Sequence, residues 1–272
     1  MAQGCTLLLV GCGKMGGAML DGWLAAGTAS RVVVVEPSGV LPDSVKGNPA
    51  VSAAAGADDL PAGFAPDVVV LAVKPQVMDA VVPTYKGLVR PGTVFLSIAA
   101  GKTIGYFERL LGDKAAVVRS MPNTPAAIGR GMTVAVPNTA VTAAQKTLCD
   151  ALLGAVGEVA WVDDESLIDP VTAVSGSGPA YVFLLVEALA KAGEASGLPA
   201  DLAMRLARAT VSGAGELLRQ STAPAADLRK AVTSPGGTTQ AALEVLMAGD
   251  GLQPLLDTAI AAATKRSREL AQ

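Results

Sequence analysis

The first half of the chain alternates short apolar runs with segments of helical period. Residues 6–10 (TLLLV) are continuously apolar, the mark of a strand covered on both faces. Residues 15–26 read as a helix stopped at Gly27. Residues 31–36 (RVVVVE) form a second strand candidate, rich in β-branched side chains. DVVVLAV at 67–73 and TVFLSI at 93–98 repeat the pattern, and shorter candidates lie at 116–119, 132–136 and 158–162. Strands alternating with helices predict an α/β fold with a doubly wound parallel sheet.

From about residue 164 the β-branched runs stop. Ala/Leu/Glu-rich segments take over at 180–196, 200–220, 225–232, 238–248 and 252–270, punctuated by Gly and Pro. The pattern predicts two domains, a sheet domain over 1–163 and an all-helical one over 164–272. Within the first long helix, Val182, Phe183, Leu184, Leu185, Val186, Ala188 and Leu189 leave almost no polar face. A helix apolar all round is buried on every side. A domain of about 110 residues has little interior for one, so the pattern predicts a partner subunit over it. The alternative is the central helix of a monomeric bundle.

Composition narrows the class. Only 3% of the 272 residues are aromatic, so Ala, Val and Leu must build the core. A formal net charge of −3 argues against a nucleic-acid binder, which needs a basic stripe. The three cysteines, Cys5, Cys12 and Cys149, lack C-x-x-C spacing, and there is no histidine. Together these argue against a metal site and for a reduced, cytoplasmic setting. No basic segment precedes an apolar run at the N-terminus, so no signal peptide is expected. No apolar stretch reaches the ~20 residues a membrane span needs.

The first candidate site is GCGKMG, Gly11 through Gly16, with G-x-G-x-x-G spacing between a strand and a helix. That context suits a dinucleotide pyrophosphate. Gly11 permits the tight turn, Gly13 lets a phosphate approach, and Gly16 lets helix and strand pack closely. Lys14 and Met15 complete the turn, and the free N–H groups of the helix start face the phosphates. Glu36 lies 20 residues beyond Gly16 at the end of the second strand, where an acid bonds the ribose 2′-hydroxyl of NAD and repels a 2′-phosphate. The alternative is a solvated strand end. Val73, Lys74 and Pro75, and then Ala100 and Gly101, follow two further strands, whose carboxyl ends face the ligand crevice.

The second candidate site is TSPGGTT, residues 233–239. Ser234 suits an N-cap and Pro235 the first helical turn. Gly236 and Gly237 expose backbone, no acid occupies the first turn, and the hydroxyls of Ser234, Thr238 and Thr239 crowd around. A helix start of this kind can cradle a carboxylate. A plain capped helix is the alternative. The S-G-S-G-P run at 175–179 reads as a packing joint.

VLAVKPQ (70–76), SIAAG (97–101), RSMPNTPA (119–126), ID-x-VTAVSGSGPAY (168–181) and VTSPGGTT (232–239) occur in that order. Together they resemble the Δ1-pyrroline-5-carboxylate reductase family, from about residue 7 to residue 270. The resemblance implies a Rossmann-like N-terminal domain and a helical C-terminal domain that interlocks two subunits, with dimers assembling further, commonly into decamers. It implies reduction of a cyclic imine to L-proline with NADPH or NADH. It implies that the backbone of Gly236, Gly237 and Thr238 and the Ser234 hydroxyl hold the substrate carboxylate. Thr239 would then face the ring nitrogen, and Asn123 in the third motif would join the cofactor contacts. An acidic residue near the substrate precedes the fourth motif, with Asp164 and Glu165 as the candidates. The chain departs from many NADPH-preferring members at Glu36, Pro37 and Ser38.

Two rivals share parts of this pattern. A β-hydroxyacid dehydrogenase would carry Lys and Asn on the first long helix of the second domain; here that helix has no Asn and no Lys before Lys191. A dinucleotide-binding regulatory protein without turnover would need no second cradle.

Overall fold

The structure, a computed structural model, describes residues 4–271. It falls into two compact units. The first runs through Gly176 and takes in the chain again from Ala263; the second is Ser177–Ala262.

The first unit is built on eight strands: β1 (Cys5–Val10), β2 (Ala29–Val35), β3 (Val51–Ala54), β4 (Val68–Leu71), β5 (Val94–Ser97), β6 (Ala116–Met121), β7 (Gly131–Pro137) and β8 (Gly157–Trp161). Their order in the sheet is β3-β2-β1-β4-β5-β6-β7-β8. The chain thus reverses its direction of winding beside β1, and such a switch point opens a crevice at the strands' carboxyl ends. Helices α1 (Lys14–Ala26), α2 (Met78–Val81), α3 (Ile104–Leu111), α4 (Ala143–Gly154) and α5 (Ile168–Val171) belong to the same unit.

The apolar runs at the sheet centre explain its position. Leu7, Leu8 and Leu9 are fully buried. Alternate side chains enter two separate cores, as the two-residue period of a strand requires. Leu7, Leu9, Val68 and Val70 meet Met19, Leu20 and Trp23 of α1 and Leu152 and Leu153 of α4 on one face. Leu8, Val69 and Leu71 meet Phe95, Tyr106 and Phe107 on the other. Each such side chain contributes roughly 1.5–3 kcal/mol by leaving water. The buried Trp23 indole also donates to the Leu152 carbonyl at 2.9 Å, which satisfies its one polar atom. Thr103 caps α3 by accepting from the Tyr106 N–H at 3.2 Å. Thr142 and Gln145 form a reciprocal capping box at the start of α4.

Three details depart from the sequence expectation. β7 runs antiparallel to β6, while every other neighbouring pair is parallel. β3 is an unforeseen edge strand, short and only partly covered. β2 ends at Val35 and β4 at Leu71, so Glu36 lies just past its strand and Val73 lies in a loop.

The second unit holds α6 (Gly178–Ala195), α7 (Ala200–Gln220), α8 (Ala225–Ala231), α9 (Thr238–Leu246) and most of α10 (Leu252–Leu270). α6 packs on α7 through small residues: a side chain at Gly193 would bring its Cβ to 3.2 Å from that of Ala203. Ala190, Ala203 and Ala207 are the buried residues of this unit. Phe183 and Leu184 remain 63% and 62% exposed. The helical turns from Glu165 run on into α6, and the stretch Glu165–Ala195 is by length and composition apolar enough to cross a membrane. Residues 165–177 lengthen the apolar run beyond what α6 alone offers, which corrects the expectation that no stretch reaches that length.

Candidate active site

The β1–α1 turn has the geometry its glycines allow. Gly11 adopts φ +89°, and a Cβ there would lie 2.7 Å from Val73 Cγ1. A Cβ on Gly16 would lie 2.5 Å from the Gly11 carbonyl oxygen, so only glycine lets the helix begin this close to the strand. At Gly13 a Cβ would meet nothing within 4 Å, leaving the turn open outward. α1 has no acid in its first turn and no side-chain cap. Its first chain-paired amide is that of Gly17, which donates to the Gly13 carbonyl at 2.8 Å. The N–H groups of Lys14, Met15 and Gly16 are therefore free donors at a positive helix end. This cradle fits a dinucleotide pyrophosphate.

The Glu36 side chain leans over the turn, where its Oε2 accepts from the Cys12 N–H at 3.4 Å. Burial raises the Cys12 thiol above its ordinary range, and the neighbouring Glu36 carboxylate adds to that. Lys74 is exposed, and Pro75 opens a short 3-10 turn, Pro75–Val77. Ala100 is exposed beyond β5, and Gly101 beside it is buried at φ +74°. Gly11, Gly16, Val73 and Glu36 are thus drawn to one place, while Gly101 marks the end of β5. Asn123, past β6, is occupied within the chain. Its Oδ1 accepts from the Met132 N–H at 2.9 Å, and its Nδ2 donates to the Ser175 carbonyl at 3.2 Å.

The two acidic candidates are not equivalent. Glu165 Oε1 accepts from Arg119 Nη1 at 2.7 Å and from the Ile104 N–H at 2.8 Å. Asp164 is exposed and caps the turn after it, accepting from the Ser166 N–H at 2.8 Å. Hydrogen bonds from the Ser166 side chain and backbone hold its carboxyl below the usual range. Arg119, only 3% exposed, was missed as a functional group by sequence reasoning. The signal was a single arginine inside the apolar strand AVVRSM. A buried guanidinium requires a partner, and Glu165 supplies it.

In the helical unit, α9 starts at Thr238 with Gly237 as its N-cap. Ser234 is therefore not the cap and Pro235 is not in the first turn. Gly236, at φ +69°, inserts a left-handed turn that Gly237 closes by donating to the Ser234 carbonyl at 3.0 Å. The Gly236 N–H donates to Gln240 Oε1 at 2.7 Å, and Gln240 Nε2 donates to Glu244 at 3.0 Å. Both glycine amides are thus used inside the chain. The free donors are the first-turn amides of Thr238, Thr239 and Gln240, with no acid among them. Thr239 is half-buried, while Ser234 and Thr238 are exposed. Such a turn can take a carboxylate. In the S-G-S-G-P run, a Cβ on Gly176 would lie 2.5 Å from Met121 Cε, so that glycine serves packing.

A doubly wound sheet with an open phosphate cradle at its switch point, followed by a helical segment with its own anion-ready turn, defines an NAD(P)-dependent oxidoreductase. Residues 6–101 match the family described as NADP oxidoreductase coenzyme F420-dependent, and residues 165–270 match pyrroline-5-carboxylate reductase dimerisation. The chain is 40% identical over 267 residues to the pyrroline-5-carboxylate reductase of Pseudomonas aeruginosa, covering 98% of this chain and 97% of that one. The solved reductase from Coxiella burnetii superposes with a TM-score of 0.89 at 34% identity, over 98% of this chain and 99% of that one. The Plasmodium falciparum pyrroline carboxylate reductase with NADP bound gives a TM-score of 0.81 at 29% identity, over 99% of each. The chain belongs to the pyrroline-5-carboxylate reductase family.

Proposed function

We propose that this chain reduces Δ1-pyrroline-5-carboxylate to L-proline with NADPH or NADH, the last step of proline biosynthesis. The carrying observation is the pair of acid-free helix starts, at α1 and α9, in a chain of this family. The free amides of Lys14, Met15 and Gly16 bind the pyrophosphate, and Glu36 takes the ribose. Val73, Lys74, Pro75, Ala100 and Gly101 line the path of the cofactor, and Asn123, the further cofactor contact, is fixed by the Met132 N–H and the Ser175 carbonyl. In the second cradle, Gly236 and Gly237 shape the turn, and the amides of Thr238 and Thr239 with the Ser234 hydroxyl bind the carboxylate. Residues 1–163 serve as the dinucleotide-binding domain, and residues 164–272 bind substrate and join subunits.

Bound NAD(P)H supplies the hydride. The protonated imine is already electrophilic at carbon, so the reaction needs no histidine. The protein's part is to orient and to exclude water, and positioning alone can supply up to roughly 7–11 kcal/mol of barrier reduction. The Thr239 hydroxyl orients the ring nitrogen, whose proton arrives with the substrate or through water. Of the two acids, Glu165 is tied through Oε1 to Arg119 and Ile104, and Asp164 through Oδ1 to Ser166, so each keeps a second oxygen and both stay candidates for a substrate contact. A second copy, not lipid, covers the apolar face of α6, giving a homodimer from which a decamer is built. The enzyme works in the cytoplasm on a small molecule, with no nucleic acid or membrane partner.

The lean of Glu36 over the turn favours NADH, because a 2′-phosphate there would face a carboxylate. Steady-state oxidation of NADH and of NADPH, with and without the imine, tests both statements. Rapid imine-dependent oxidation with a higher kcat/KM for NADH is expected, and Glu36→Gln lowers that preference. Cofactor binding without imine-dependent oxidation would overturn the reductase assignment.

A further inference from the structure

The loop after β5 carries Ala100 and Gly101, and what holds it is the segment matched to dimerisation. Four observations within the first unit converge there. The would-be Cβ of Gly101 lies 2.9 Å from the Leu270 carbonyl oxygen, so the last turn of α10 is stacked directly on the loop. Ser267, one turn earlier and 7% exposed, donates to Asp169 Oδ1 at 2.6 Å. That bond ties the end of the segment to α5, near its beginning. Four residues before Asp169, Glu165 accepts from the Ile104 N–H, which ends the same loop and opens α3. Glu165 is itself fixed by the buried Arg119.

Residues 98–103 are thus gripped at Gly101 by the last turn of the chain and at Ile104 by Glu165, and the Ser267–Asp169 bond locks these two grips to each other. Nothing in catalysis uses Ser267 or Asp169. Yet Ser267 is a buried hydroxyl, and a buried polar group is stable only with a hydrogen-bond partner, which the Asp169 side chain supplies. Removing the hydroxyl leaves Asp169 without its donor and loosens the turn that backs Gly101.

We propose that Ser267 and Asp169 are positioning residues for cofactor binding: they clasp the two ends of the 165–270 segment around the β5–α3 loop and hold Ala100 and Gly101 in place. The inference rests on the reading of that loop as part of the cofactor path. It also makes cofactor affinity depend on the far end of the chain, over 160 residues from the loop in sequence.

The test uses the full chain and three variants, Ser267→Ala, Asp169→Ala and Asp169→Asn. NADH affinity is read by fluorescence titration without substrate, amide exchange at 99–104 without cofactor, and kcat and KM by turnover. Ser267→Ala and Asp169→Ala should weaken NADH binding and raise its KM by roughly three- to tenfold, the scale of one hydrogen bond's net contribution. Exchange at 99–104 should speed up while kcat stays within about twofold. Asp169→Asn keeps an acceptor oxygen and should restore near wild-type affinity. Unchanged affinity and exchange in Ser267→Ala, or a fall in kcat at constant KM, would overturn the proposal. If wild-type protein binds NADH but does not oxidise it with the imine, the functional reading fails instead, and the binding and exchange measurements still decide the clasp.

Discussion

The sheet unit and the helical unit solve burial in opposite ways. In the first, whole strands disappear from water, and Trp23, Phe95 and Phe107 are completely enclosed. In the second, Ser177–Ala262, three alanines are buried and Phe183, Leu184, Leu217 and Val245 stand in solvent. The sheet unit closes its hydrophobic account within one chain. The helical unit is a half-structure, because exposed apolar area on this scale marks an interface. Folding and assembly are therefore separable in one part of the molecule and the same event in the other.

The largest test of this contrast is to charge the helical face. Phe183→Asp with Leu184→Asp should abolish the oligomer, seen by light scattering, and lower kcat/KM by at least about a hundredfold, since uncompensated buried charge costs several kcal/mol. NADH binding by the isolated chain should survive, because the sheet unit is complete. An unchanged oligomer would break the comparison.

Gly16→Val is the converse. Its Cβ would press to 2.5 Å on the Gly11 carbonyl, and overpacking of this kind costs roughly 1–3 kcal/mol. NADH affinity should fall about tenfold or more with the oligomer intact. A smaller effect is expected at Thr239→Ala, which should lower kcat/KM by roughly tenfold without abolishing turnover. A loss of less than a few-fold would remove Thr239 from the site.

The last test concerns only the sheet unit, and it has no effect at neutral pH. Burial pushes the Cys149 thiol up to about 12, and Cys5 nearby adds to the shift. An unfolded cysteine ionises near pH 8.5–9. Between that pH and about 12 the unfolded chain has lost a proton that the folded chain retains, so stability falls as pH rises. Below that window Cys149 contributes no slope. Urea midpoints measured from pH 8 to 11.5 should decline less steeply in Cys149→Ala than in wild type.

What was legible in the chain follows the same division. The central strands and α6 to α10 were readable because their burial partners lie at regular spacing along the sequence. β3 was not, since VSAA at a sheet edge buries one side chain of four and carries no pattern. The antiparallel β7 was missed because strand direction depends on the connection, and its apolar run looks the same either way. Thr142 and Gln145 spelled out a capping box that announces α4, and that signal went unused. At residues 234–239 the helical segment from residue 238 begins where α9 does, but the cap is Gly237 and not Ser234. The left-handed Gly236 moves the cap three residues on, and Gln240 takes an amide that the motif alone leaves free. Arg119 lay within a quoted motif, yet its partner 46 residues away is a tertiary fact.

The division of α10 between the units has a consequence for synthesis. The first unit is continuous through Gly176 but needs the chain from Ala263 onward to finish it. Chains emerge N-terminus first, at about 5–20 residues per second. The cofactor-binding sheet can therefore assemble early on the ribosome, yet it stays open at Gly101 until the last turn has been made. The helical unit, inserted between these two stretches, emerges before that closure. A truncated product from an early stop would leave a sheet that lacks its final support, whatever the state of its strands.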